Sequence, residues 1–299
     1  MKKVKWQEMF PDELEEAFQN CPVVYFVYGL CEPHGPQNAI GLDLVKAYEI
    51  ACLSAETNGG IVAPPDPWHI HEIGGYAIWS HHTIGNVKHT WLTSIPPWQH
   101  FRNVLYHIRA ADAAGFHAAI LFTGHYGPNW IDLKQIIQLV QQYVGTRLYS
   151  LPEFEANYRG FTGDGSNQGD HAGRVETSLL WAVRPDLVDV SRIPESKEGH
   201  HMAMGKDAAE SNKKTGERMV NDEIECLGKT TLDLLDEYEK LQPLHHFTTF
   251  EDVEKFWYEI VLPQFENFET MKNSREGQPA IPSDSNWIPN MLIPPHWKG

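Results

Sequence analysis

Two stretches of this chain contain almost nothing polar: CPVVYFVYG at residues 21–29 and HAAILFTG at residues 117–124. Apolar, β-branched and aromatic residues run through both without alternation. A strand with one face in water alternates polar and apolar positions, so an unalternating strand must be covered on both faces. A sheet layered between helices provides that cover. The neighbouring segments agree. GLDLVKAYEIACLSAE (41–56) places Leu44, Ala47, Ile50 and Ala51 at helical spacing, and GGIVAPP (59–65) reads as a second short strand stopped by prolines. SIPPWQHFRNVLYHIRAADAAGF (94–116) predicts a helix capped by Ser94, lined by Trp98, Phe101, Leu105, Ile108 and Ala111, and ended by Gly115. PDELEEAF (11–18) and WIDLKQIIQLVQQYV (130–144) predict further helices, and the chain turns helical and charged from about residue 222. The alternation predicts an α/β layered domain with a mainly parallel sheet. In such sheets ligands bind beyond the carboxyl ends of the strands. There, both apolar runs enter glycine-punctuated loops, CEPHG and TGHYG, which could share one crevice.

Charge narrows the function classes. Forty acidic residues oppose 24 basic ones, a formal net charge of −16 over 299 residues. Such a surface repels phosphate backbones and gives no footprint for nucleic acid. It suits a small neutral substrate or divalent cations. No stretch approaches the roughly 18 apolar residues of a membrane span, and the N-terminal MKKVKWQEMFPDELEEAF lacks the apolar core of a secretory signal. The expected location is the cytoplasm. Cys21, Cys31, Cys52 and Cys226 are scattered without a Cys-x-x-Cys pair, so reduced thiols are expected.

Three loops carry histidine, two of them with acids close by. Glu32 and His34 are one residue apart, so in extended backbone they point to one side, and Asp43 follows at a helix start. Carboxylates with imidazole suit zinc, manganese or iron; alone, the set could equally be a polar loop and a helix cap. The second loop puts His125 between Gly124 and Gly127 just past a buried strand. The third, GDHAGRVETSLLWAVRPDLVD (169–189), sets Asp170 and His171 before a helix with Leu179, Leu180 and Val183 on its apolar face, and Glu176 in its first turns. Three such loops in one acidic chain are harder to read as ordinary polar loops than one.

These motifs resemble those of the creatininase (creatinine amidohydrolase) family. The first, Glu-x-His-Gly-Pro with a later Asp, reads EPHGPQNAIGLD here; the second reads TGHYGPN; the third reads HAGRVETS and is followed by RPDLVD. MGKDAAESNKKTGERM loosely echoes a later pattern. The resemblance covers about residues 22–235. It implies a three-layer α/β/α sandwich with a mainly parallel central sheet: one domain over 1–299, with that core and a helical, Pro/Trp-rich extension at 236–299. It implies a metal-dependent amidohydrolase, assembled as a homo-oligomer, often a hexamer. One or two divalent metals per chain would be held, zinc foremost, with manganese or iron the alternatives. Carried over by motif, Glu32, His34, Asp43 and His125 would be ligands, with Asp43 bridging, and Glu176 a further or supporting one. His171, with Asp170, would handle protons, and Tyr126 matches a tyrosine at the substrate. There are departures. Gly127 stands where creatininase has a second-metal Glu, Arg174 where the third motif often has Glu, and GSNQGDH (165–171) lacks the substrate-covering Trp.

The expected reaction is therefore hydrolysis of a non-peptide C–N bond in a small cyclic amide or formamide. Cleavage of a modified peptide and a non-catalytic metal-binding scaffold are the alternatives. His69, His71, His81, His82, Trp68 and Trp79 sit in a Trp/His-rich loop region, 66–93, and read as structure, with pocket contact the alternative. The pairs His200–His201 and His245–His246 read as surface or interface residues. The Pro/Trp-rich tail is expected to wrap the surface or a neighbouring subunit.

Overall fold

The two unalternating runs form the centre of a four-stranded parallel sheet. The computed structural model describes residues 3–71, 81, 85, 87–156, 170–195, 203–272 and 282–298. Strands β1 (Val23–Tyr28), β2 (Ile61–Val62), β3 (Ala118–Thr123) and β4 (Arg147–Pro152) lie in the order β2-β1-β3-β4, every pairing parallel. β1 and β3 pair from Val23 with Ala118 to Tyr28 with Thr123, so both end at one level. The strand order reverses between them, which opens a crevice at their carboxyl ends.

Period-two geometry sends alternate residues to opposite faces. Val24, Phe26, Tyr28, Ala119 and Leu121 pack against α3 (Pro97–Ala114) through Phe101, Val104, Leu105 and Ile108. α4 (Asn129–Val140) joins that layer through Leu133, Ile136 and Val140. Val23, Tyr25, Val27, Ala118, Ile120 and Phe122 meet Ala47, Ile50 and Ala51 of α2 (Leu42–Asn58), Leu179 of α5 (Arg174–Val183), and Met219 and Leu227 of α6 (Lys213–Leu241). The result is the three-layer α/β/α sandwich. Full burial of each large apolar side chain contributes about 1.5–3 kcal/mol, so the runs that reveal the strands also hold the layers. No described helix is long and apolar enough to cross a membrane, and the four cysteines form no disulfide among the described residues.

Local boundaries differ from the sequence reading in places. α3 starts at Pro97 without a side-chain cap; Ser94 lies outside it, its hydroxyl donating to Asn290 Oδ1 at 3.4 Å. α1 (Pro11–Asn20) starts where expected, Glu13 accepting from Phe10 N at 2.9 Å. The C-terminal helical region begins at Lys213, because Asn212 Oδ1 accepts from Lys214 N at 3.0 Å and fixes the start there. β4 escaped the pattern because Arg147 and Ser150 interrupt its apolar residues in RLYSLP. The tail folds back onto its own chain: Phe265 and Phe268 join the core, and Trp297 stacks on Trp98 at 5.2 Å. Trp79, His82, His200 and His201 lie outside the described residues.

His245 is partly buried, not a free surface residue. Its Nδ1 lies 2.8 Å from Asp112 Oδ1. Asp112, fully buried, also accepts from the amides of Gly145 (2.8 Å), Thr146 (2.9 Å), His246 (3.0 Å) and Phe247 (2.8 Å). One carboxylate thus ties the end of α3, the start of β4 and the C-terminal region. Asp112→Ala would strand four amides, each unsatisfied buried group costing about 1–3 kcal/mol before relaxation. The expected result is destabilisation by about 3 kcal/mol or more, read from denaturant midpoints, with earlier proteolysis near residue 244.

Candidate metal centre

The site grows from the two aligned strand ends. After β1 the chain enters loop 29–41, closed by Glu32 N donating to Ile40 O at 3.0 Å. The first turn of α2 then passes directly over the end of β3. Two glycines permit the approach: a Cβ on Gly124 would lie 2.0 Å from Asp43 O, and one on Gly29 would lie 2.6 Å from Leu44 N. Any side chain at Gly124 would push Asp43 away from His125.

Glu32, His34, Asp43, His125 and Glu176 converge, all buried. His125 Nδ1 lies 2.9 Å from Glu32 Oε1 and 3.1 Å from Asp43 Oδ2. His34 Nε2 lies 3.0 Å from Asp43 Oδ1 and 3.7 Å from both Glu32 Oε1 and Glu176 Oε2. Asp43 therefore offers one oxygen to each imidazole. Three overlapping sets have donor atoms mutually close enough to share an ion: Glu32–Asp43–His125, His34–Asp43–Glu176 and Glu32–His34–His171.

Protonation tests whether this cluster is made for a cation. His34 Nδ1 sits 3.0 Å from the carbonyl oxygen of Glu32. A carbonyl only accepts, so the proton belongs on Nδ1 and the Nε2 lone pair faces Asp43. Glu32 Oε1, His34 Nε2 and Asp43 Oδ1 are buried and make no hydrogen bond among the described residues. A lone pair and a carboxylate at 3.0 Å repel unless a positive charge lies between them. Without a metal, a proton must serve. Burial disfavours charge on His34, yet Asp43, Glu176 and Glu32 outweigh it and raise its pKa to about 9. Burial likewise opposes charge on Asp43, yet His34 and His125 pull it down to about 2. The donor set, its burial and its orphaned atoms fit a divalent ion.

His171 stands beside the cluster, its ring stacked on His34 at 4.7 Å. Its Nε2 donates to Pro33 O at 2.9 Å, which leaves Nδ1 as the basic nitrogen. Burial pushes its pKa down to about 4, so it is neutral at pH 7. Asp170 is placed differently from the proton-handling expectation. Both its oxygens accept backbone amides at the start of α5, Val175 N at 2.7 Å and Glu176 N at 3.1 Å. It anchors the turn that presents Glu176.

Tyr126 also turns inward: its hydroxyl donates to Glu153 and its ring lies 4.2 Å from Lys46 Nζ. Lys46, wholly buried, is the residue that motif reading passed over. Its Nζ lies 2.6 Å from Gly124 O, 2.8 Å from Glu153 Oε2 and 3.4 Å from Glu176 Oε1. Burial penalises its charge, but Glu153, Glu176 and Asp43 more than compensate and its pKa is raised. A signal existed: Lys46 is one turn from Asp43 and within the apolar Ala47–Ile50–Ala51 stretch of α2, an odd place for an unpaired charge. His71, given mainly a structural reading, reaches the site. Its Nε2 is 3.4 Å from Glu32 Oε2, and its ring stacks at 5.2 Å on Trp287 from the C-terminal tail.

Comparison with known proteins points to one family and one fold. The family model Creatininase, described as creatinine amidohydrolase, matches residues 7–225. A creatininase in its Mn form superposes with a TM-score of 0.62 at 20% identity, covering 78% of this chain and 98% of that one. A mutant creatininase of Zn-Zn type gives 0.63 at 20% identity, with 78% and 98% covered. A mutant creatininase complexed with creatine gives 0.62 at 20% identity, with 79% and 99% covered. No curated protein matches the chain by sequence. At such identity the structural likeness speaks for the fold alone.

Proposed function

Because the chain belongs to the creatininase family, we propose that it is a metal-dependent amidohydrolase that opens a non-peptide C–N bond, a cyclic amide or formamide, in a small molecule. The observation that carries this reading is the buried Asp43 carboxylate held between two imidazoles, with Glu32 Oε1 and Asp43 Oδ2 both facing His125 Nδ1, at 2.9 and 3.1 Å. Glu32, Asp43 and His125 would hold a divalent ion, and His34, Asp43 and Glu176 offer a second donor set. When bound, such an ion lowers the pKa of a coordinated water toward neutrality and polarises the substrate carbonyl.

The chain's own residues supply the rest. His171, neutral at pH 7 and oriented by Pro33 O, would take a proton at Nδ1 and return it to the departing nitrogen. Stacking on His34 fixes its ring beside the donor cluster. Asp170 keeps that loop in register by anchoring the two amides of α5. Zinc and manganese are the ions favoured by the mixed carboxylate–imidazole set. The creatine-bound relative supports a small-molecule substrate.

Chelation tests the reading. Dialysis against a strong chelator should abolish hydrolysis of a cyclic-amide and formamide panel and lower the melting temperature, and added zinc or manganese should restore both. An ion present at 100 times its Kd stabilises by about 2.7 kcal/mol, well within calorimetric reach. Full activity in protein shown to be metal-free would sink the proposal.

A further inference from the structure

We infer that Lys46 is a built-in cation standing in for a second metal, so that this chain holds one tightly bound ion, at Glu32, Asp43 and His125, with Glu176 serving as the lysine's counter-ion. The inference rests on the metal-centre reading and deepens it. The lysine ammonium has three donors, and among the described residues it meets three oxygens, Gly124 O, Glu153 Oε2 and Glu176 Oε1, at 2.6, 2.8 and 3.4 Å. The Tyr126 ring covers it at 4.2 Å. A buried ammonium matched in this way is locked in place, and so is its charge.

The consequences fall on one of the two donor sets. In His34–Asp43–Glu176, both oxygens of Glu176 are already engaged, Oε1 by Lys46 and Oε2 by Ala172 N at 2.7 Å. An ion entering there would meet a fixed positive charge on the far side of Glu176. The second loop gives it no help, because Gly127 contributes no side chain and the Tyr126 hydroxyl is committed to Glu153. In Glu32–Asp43–His125, no lysine or arginine pairs with either carboxylate among the described residues, and Glu32 Oε1 makes no hydrogen bond. That set keeps its affinity for a divalent ion. Lys46 and Asp43, three residues apart on α2, are presented on one face of the helix, so the same turn offers a ligand and the charge that limits the ion count.

Counting ions tests this without reference to activity. The full-length protein is equilibrated with Zn2+ alone, freed of loose metal by gel filtration, and zinc per chain is measured by elemental analysis. The expected results are one ion in the wild type, one in Glu176→Gln, and a second taken up by Lys46→Met, while Lys46→Arg stays at one. Two ions in the wild type, or loss of the single ion in Glu176→Gln, would overturn the inference. So would a folded Lys46→Met that stays at one. Should Lys46→Met fail to fold, the wild-type and Glu176→Gln counts still decide. A wild type that binds no zinc at all would instead remove the metal-centre reading itself, and this inference with it.

Discussion

Asp43→Asn is expected to lose its bound ion and its hydrolytic activity together. Asp43 belongs to two of the three donor sets and divides its oxygens between His34 and His125. The amide keeps the shape but removes the charge, and it offers a nitrogen where one imidazole now meets an oxygen. A metal's electrostatic contribution to the transition state is worth several kcal/mol, so activity should fall on the order of 10³-fold or more. Zinc per chain should fall in parallel under the same wash. The fold should survive, since Leu42, Ala47 and Ile50 hold α2 in the core. A folded variant with wild-type zinc content would mean that Asp43 is not a ligand.

His171→Gln is expected to separate binding from turnover. The imidazole is half-buried, neutral at pH 7, held by Pro33 O and stacked on His34. General acid–base groups contribute typically 10²–10⁴-fold, so kcat should drop by about that factor. Zinc content should stay at the wild-type level, because Glu32, Asp43 and His125 are untouched. KM should move much less than kcat, since the lost interaction belongs to the transition state. Loss of zinc along with activity would instead make His171 a ligand through the Glu32–His34–His171 set.

Much of the site was legible because its residues sit at punctuation. Glu32, His34 and His125 lie where apolar runs stop, and a polar residue beyond a parallel strand has few places to go except the crevice. Glu176 was legible as an acid on the first turn of an amphipathic helix. Asp170 and Tyr126 show the limit of motif reading. Both stand beside residues of the cluster in sequence, yet one carboxylate is taken up by amides of α5 and one hydroxyl by Glu153. Adjacency along the chain gives no direction to a side chain. His71 shows the converse: its spacing with His69 was visible, but its contact with Glu32 lies 39 positions away and its Trp287 cover 216 positions away in sequence.

The amino-acid order by itself determined the two central strands, the helices that cover them and the loops that carry the donor set, because burial on both faces leaves an unalternating apolar run in β1 and β3. Tertiary structure decided which charges neutralise one another. Lys46 pairs with Glu153 and Glu176 across 107 and 130 positions of chain, and Asp112 ties together three segments that no periodicity relates. Periodicity says which residues share a face. Which faces meet, and therefore where a buried charge finds its partner, is settled only when the layers close and water is gone.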